Sequence, residues 1–315
     1  MRCFIERVVT NHDVATDIKV LIPDAGLRRR MSRVIKSAVS TAMEALGGVE
    51  GISTLDGIIT ATGWGCLADS ERFLRNVIVD KEQLLNPTPF IQSTFNTVGG
   101  QIALLGHNHC YNVTYVNRSH SFEDTLLDAM MRAEDGDSEH MLLGAFDEET
   151  PSQHRIMERM GAFRRVACGE GAMFAIVGAQ RNERSIAEVA TLAFPAESLT
   201  REEVAEQYAT TAHARVIYNG YAEHGLFPTA SAMCFAEAVK LVAEGTPEVV
   251  IYNEYFGASP TVIVVRCLAY VSYSSSHWRF LSLSTSSWCG PRQMWEVISM
   301  LRHTARVRTG IGAWH

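Results

Sequence analysis

Four side chains able to ligate a metal lie close together in the chain: His107, His109, Cys110 and His120. Imidazole and thiolate are ligands that zinc prefers. The spacing, however, gives neither an i,i+4 pair on one helix face nor a recognised zinc pattern. The expectation is no metal and no cofactor. Ser119, beside His120, suggests a hydroxyl nucleophile, which needs a base within about 2.6–3.2 Å. His120 points roughly a quarter-turn away on a helix, so the competing expectation is a serine that caps one. Asp147-Glu148-Glu149 could carry base chemistry; a solvated loop with helix-capping carboxylates is the plainer reading. Arg28, Arg29, Arg30 and Lys36 form a basic face, either an ordinary solvated one or a docking surface for an acidic partner.

Composition narrows the classes. The 315 residues are 47% hydrophobic and 20% charged, enough apolar material for a real core. A net charge of -7 argues against nucleic acid as the main partner. No run approaches the length of a membrane span, and no secretory leader is expected at Met1-Arg2-Cys3-Phe4. The seven cysteines are odd in number, scattered and without a CxxC pair, as for reduced thiols in a cytoplasmic protein.

The elements that must position these groups are legible from periodicity. Met31, Val34, Ile35, Ala38, Val39, Ala42, Met43 and Leu46 form one helical stripe, so a helix is predicted over 29–46, ended by Gly47-Gly48. A buried strand is predicted over 55–62, a helix cap at Asp69-Ser70, and an extended link at Pro87 and Pro89. Helix 96–105, strand 111–116, a helix from about 119 to 136, and strands 141–145 and 173–177 come next. Residues 180–212 read as a polar, partly helical connector. Strand 216–218, helix 229–242 and strands 248–252 and 261–265 then repeat the pattern. Alternating strands and helices imply a layered α/β fold with a largely parallel sheet. The segment 269–315 differs in kind: it has serine clusters, four of the five tryptophans and no lysine. It reads as an appended, poorly ordered or non-native tail.

Several phrases, in order, resemble the β-ketoacyl synthases of the thiolase superfamily, especially the divergent subgroup found near aryl-polyene and flexirubin-type pathways. They are Arg28-Arg29-Arg30-Met31-Ser32, Thr60-Ala61-Thr62-Gly63-Trp64-Gly65, Asn86-Pro87-Thr88-Pro89-Phe90 and Asn96-Thr97-Val98-Gly99-Gly100-Gln101. Ser119-His120-Ser121-Phe122-Glu123-Asp124, Gly144-Ala145-Phe146-Asp147, Thr229-Ala230-Ser231-Ala232 and Asn253-Glu254-Tyr255-Phe256-Gly257 continue the series, which covers about residues 25 to 267.

The resemblance implies a thiolase-like layered α/β fold with two related halves, residues 1–178 and 179–268, the second shortened. Condensing enzymes of this kind use a cysteine at the start of a buried helix, helped by the helix dipole, and two histidines or a histidine and an asparagine. Here Ser119 stands at the expected cysteine position. No histidine follows Gly225; His224 and Asn219 are the remaining candidates for the other groups. Gly63, Asn96, Phe122, Thr229 and Ser231 are expected to shape the acyl pocket. The resemblance thus implies a degenerate, chain-length-factor-like subunit that pairs with an active ketosynthase, or with itself as a dimer, through the strand around 112–116. It would bind chains on an acyl carrier protein. The alternatives are an acyltransferase or acyl hydrolase using Ser119, and a weak condensing enzyme.

Overall fold

The apolar stripe of residues 34–46 does build a helix, but the chain breaks just before it. The computed structural model describes residues 1–268; the tail reading for 269–315 lies outside the described residues. In chain order, β1 (Cys3–Thr10) is followed by α1 (Ile18–Leu21), α2 (Ala25–Arg30) and α3 (Arg33–Leu46). Next come β2 (Gly57–Ala61), α4 (Leu67–Val79), α5 (Pro87–Gln92), α6 (Thr97–Leu105), β3 (Tyr111–Tyr115) and α7 (Ser121–Asp135). β4 (His140–Asp147), α8 (Pro151–Arg159) and β5 (Gly171–Gly178) complete the first half. The second consists of β6 (Ala187–Ala193), α9 (Arg201–Tyr208), β7 (Arg215–Tyr218), α10 (Tyr221–His224), α11 (Ala230–Ala243), β8 (Glu248–Asn253) and β9 (Thr261–Cys267).

Three local expectations change. The single helix 29–46 is split because Met31 and Ser32 are extended. The arginine run ends α2: Arg29 and Arg30 fold back along the helix to donate to the carbonyls of Ala25 and Gly26, one turn earlier. Asp69 is no cap but sits inside the first turn of α4, buried, 3.7 Å from an Arg72 nitrogen. Pro87 opens a helix rather than a link, since proline suits a first helical position and Asn86 caps it.

Every strand among the described residues joins one nine-stranded sheet in the order β3-β2-β4-β5-β1-β6-β9-β8-β7. It is mixed rather than largely parallel: β2 is parallel to β3 and β4, and β7 to β8, while the other pairs are antiparallel. The correction comes from direction as well as number: the expected strands β4 and β5, and β8 and β9, run antiparallel, and β1 and β6, which sequence periodicity passes over, add antiparallel neighbours. The two halves are topological copies. β1-β5-β4-β2 and β6-β9-β8-β7 have the same order and the same relative directions. The first half adds β3 at its edge; the second has no counterpart among the described residues, which is where it is shorter.

Strand β1 pairs with β5 along most of its length but with β6 only over Cys3–Ile5. Past that point the halves part, and α7 and α11 fill the space between them. Alternation along the strands records these layers. Ile59 and Leu143 face the central helices, while Ile58 and Leu142 face α3 and α6. In the second half Ile251 and Ile263 face the centre, while Tyr252 and Val262 pack with Val204 of α9. Side chains of period 2, apolar on both faces, thus give helix, sheet, helices, sheet, helix. Helix α11 is buried on nearly every side, as an all-round apolar sequence requires. No helix among the described residues is long and apolar enough to cross a membrane.

Within the first half, Gly144 faces Phe174 across β4 and β5, and a Cβ on Gly144 would meet that buried ring at 2.1 Å. Gly144→Ala is expected to cost about 1–3 kcal/mol through overpacking, read as a lower urea midpoint at unchanged slope.

Candidate functional site

The carboxyl ends of β2 and β4 and the amino ends of α7 and α11 meet at one buried carboxylate. Asp147, the last residue of β4, is 2% exposed. Its Oδ1 accepts from the Thr62 hydroxyl at 2.8 Å, Gly63 N at 3.0 Å and Trp64 N at 2.7 Å. Its Oδ2 accepts from Thr229 N at 3.2 Å and the Thr229 hydroxyl at 2.8 Å. One side chain therefore holds the turn after β2 and the start of α11. Burial pushes its pKa up to about 6, against the pull of these donors, so the ionised form they are arranged for prevails at neutral pH.

Gly63 is needed here for close approach. A Cβ on it would lie 2.2 Å from Pro228 and 3.1 Å from the Arg118 carbonyl oxygen. The turn into α7 is fixed from the other side by Ser121, which donates to Thr62 O at 3.0 Å and accepts from Asn117 N at 2.8 Å. The cap expected of Ser119 is not formed: α7 has no side-chain cap, and Ser121, its first residue, pins the preceding turn instead. Ser119 itself is 2% exposed in the one-turn helix Arg118–His120. The residue with a left-handed backbone is its predecessor, exposed Arg118, at φ +52°. Backbone strain at a strand-to-helix turn marks a position worth reading for function. Sequence reasoning misses Arg118, because positive φ in an arginine leaves no compositional trace.

Among the other expected residues, Phe122 is fully buried and packs on Phe235 of α11 at 5.3 Å between ring centres. Ser231 is buried in the first turn of α11, near Glu123 of α7. Gly63, Phe122, Thr229 and Ser231 therefore gather around the facing ends of the two central helices. Asn96 is instead the exposed residue before α6. Asn219 serves a turn: its Oδ1 accepts from Glu254 N at 2.7 Å. His224 pairs with Glu237 at 3.1 Å, eight residues or about 12 Å along the helix from Thr229. Neither side chain hydrogen-bonds to α7 or to the turn before it.

Nothing in its type or spacing singles out Glu123. It is fully buried; Oε1 accepts from the Thr261 hydroxyl at 2.8 Å, tying α7 to β9, while Oε2 has no hydrogen-bond partner. Burial pushes its pKa up to about 7. The acidic run 147–149 divides three ways. Asp147 anchors the hub, Glu148 accepts from Ala68 N at 2.9 Å and so caps α4, and Glu149 pairs with His154. Two of the three are buried rather than solvated.

The six described cysteines are free, and none stands at the start of α7. Burial pushes the thiols of Cys3, Cys66, Cys110, Cys168 and Cys234 up, those of Cys3, Cys168 and Cys234 to about 12. A nucleophilic thiolate needs the opposite shift. His107, His109, Cys110 and His120 form no joint metal cluster; the one such group among the described residues is Glu149, His154 and Cys168.

The family model described as Beta-ketoacyl synthase, N-terminal domain, matches residues 9–225. No curated protein matches the sequence. Solved structures share the fold. A type II PKS acyl-carrier protein in complex with its ketosynthase bound to the hexaketide matches with a TM-score of 0.68 at 14% identity, covering 85% of this chain and 99% of that one. The ishigamide ketosynthase/chain length factor matches at 0.62 and 17% identity, covering 81% and 86%. A ketosynthase in complex with its chain length factor from Xenorhabdus doucetiae matches at 0.55 and 14% identity, covering 84% and 99%.

Two variants test the hub. Asp147→Asn places an amide donor among donors and is expected to cost about 2–3 kcal/mol, seen in urea unfolding. For Glu123, a carboxyl that holds its proton more tightly when folded lends stability below about pH 4.5 and loses it as pH rises through about 7. Glu123→Gln, neutral throughout, should therefore gain on the parent chain as pH rises across that window. A constant gap between the two urea midpoints would refute the buried proton.

Proposed function

The chain belongs to the β-ketoacyl synthase N-terminal-domain family, and from that premise we propose that it is a non-condensing, chain-length-factor-like subunit. In this reading it pairs with an active ketosynthase and shapes the cavity for a growing chain on an acyl carrier protein, in polyketide-type biosynthesis. The observation that carries the proposal is the turn into α7. It offers a strained, exposed Arg118 followed by a buried Ser119, and no thiol. A helix amino end with its dipole is retained, but the nucleophile that it would activate is not.

Other features support the same reading. Leu226, Phe227 and Pro228 follow Gly225, so no imidazole enters from the start of α11. In this reading Gly63, Phe122, Thr229 and Ser231, gathered at the facing ends of α7 and α11, shape the acyl cavity. Strand β3 is an edge strand, and an unpaired edge invites a partner strand. Solved proteins of this fold are described with an acyl-carrier protein or with a chain length factor. The free cysteines agree with a reducing, cytoplasmic setting.

Co-expression with an intact ketosynthase and an acyl carrier protein, followed by size-exclusion chromatography and intact-mass analysis, tests the proposal. A stable heterodimer with acyl mass only on the partner's cysteine is the expected result. A homodimer that takes up acyl mass itself, and loses it in Ser119→Ala, would instead establish an acyltransferase or acyl hydrolase.

A further inference from the structure

A second group of reactive side chains plays no part in the acyl reading. Glu149 lies in the loop after β4, His154 in α8, and Cys168 in the segment leading to β5. A carboxylate oxygen, a ring nitrogen and the sulfur of these residues all lie within 4.8 Å of one another. The closest pair, Glu149 Oε1 and His154 Nδ1, is 2.5 Å apart.

We propose that Glu149, His154 and Cys168 bind one divalent cation of the zinc class, leaving a fourth coordination position open. The donor set selects the ion: one sulfur, one imidazole nitrogen and one carboxylate oxygen suit a borderline-soft metal, whereas calcium and magnesium take oxygen. The spacing suits it too. Bonds of about 2.0–2.3 Å in a tetrahedron set ligand atoms about 3.3–3.6 Å apart, so the closest pair opens by a little under an ångström, and the sulfur, at most 4.8 Å from either, is within side-chain adjustment of the same geometry.

Each ligand is held by contacts that need no ion. The Glu149 backbone donates to Glu170 Oε2 at 2.9 Å, and its carbonyl accepts from Arg33 at 3.2 Å. The His154 ring stacks on Phe163, 5.0 Å between centres at 27°. Cys168 bridges to Leu226, flanked by hydrogen bonds from Leu226 N to Ala167 O and from Gly169 N to Leu226 O. All three ligands are partly exposed. Glu149 and His154 also line a groove of 590 Å³ with Arg33, Thr150, Arg155 and Glu170, which gives an ion an entry path and the fourth position a solvent side.

The competing use of the trio is a cysteine nucleophile with a histidine base. A carboxylate placed against the thiol works against a free thiolate, which is unfavourable for a nucleophile. A cation among the three turns the same crowding of negative charge into shared coordination.

The full chain, stripped with a chelator and dialysed, would be titrated with zinc chloride by calorimetry and with cobalt chloride by absorbance. The expected result is one ion per chain, with a sulfur-to-cobalt charge-transfer band in the near ultraviolet. Cys168→Ser should abolish that band, and Glu149→Gln and His154→Gln should each weaken zinc by about a hundredfold or more, exceeding the loss typical of outer contacts. A control with both His107 and His109 changed to Gln should bind as the parent does. No charge-transfer band in the parent chain, or unchanged zinc affinity in His154→Gln, would overturn the proposal. His154 lies partly exposed on α8, so its variant decides the question should circular dichroism show that Cys168→Ser is unfolded.

Discussion

Burying an ionised carboxylate to 2% exposure is costly unless donors meet its oxygens. Asp147 meets that condition with five donors drawn from two segments distant in sequence. The demand propagates outward. The turn after β2 must run with its amides inward, so Gly63 comes within van der Waals range of Pro228. The first residue before α11 must be a hydroxyl-bearing one with a free N–H, which Thr229 supplies. Ser121 then locks the same turn to α7 from the opposite side. The two central helices are thereby placed end to end with the sheet by polar contacts, while Phe122 and Phe235 complete the packing between them.

Much of this is legible in the sequence, and the exceptions share physical causes. Helices with an apolar stripe and a glycine stop, such as α3 and α7, stand out because a period of 3.6 and a left-handed C-terminal residue are both local signals; Gly47 and Gly136 have φ +73° and +76°. Strands apolar on both faces are equally plain. Strands β1 and β6 escape notice because their charged and small residues blur a period of 2, and their place beside one another rests on pairing across more than 180 residues. The mixed sheet stays hidden too, because even the expected β4 and β5 run antiparallel and periodicity carries no strand direction. At the site, glycines and hydroxyls in family-like phrases point to Gly63, Phe122, Thr229 and Ser231. Arg118 and Glu123 are not visible, since one is distinguished by a backbone angle and the other by burial, and neither is a property of residue type. Asn219 and His224 are candidates from the family-like stretch around Gly225, and their side chains bond instead to Glu254 N and Glu237.

The repeat of strand order across the two halves explains what the second half lacks. With β7 as its outermost strand and only α10 between β7 and α11, the chain goes from sheet to central helix without the extra strand that β3 gives the first half. Loops that could carry ligand-facing groups into the mouth from that side are correspondingly short. The first half keeps the strand, the turn and the helix; the second keeps chiefly the helix and the sheet behind it.

The strand that joins the halves is made well before its partners. During synthesis β1 leaves the ribosome long before either neighbour exists: its partners β5 and β6 begin at Gly171 and Ala187. Its apolar residues Cys3, Ile5 and Val9 must wait, unpaired, while most of the first half emerges. Contacts of such sequence separation carry a large loop-closure entropy and slow the final assembly. At about 5–20 residues per second the waiting period lasts on the order of ten seconds or more. Strand β1 therefore spends that interval with both edges unpaired, and the two halves of the sheet close on it only late in synthesis.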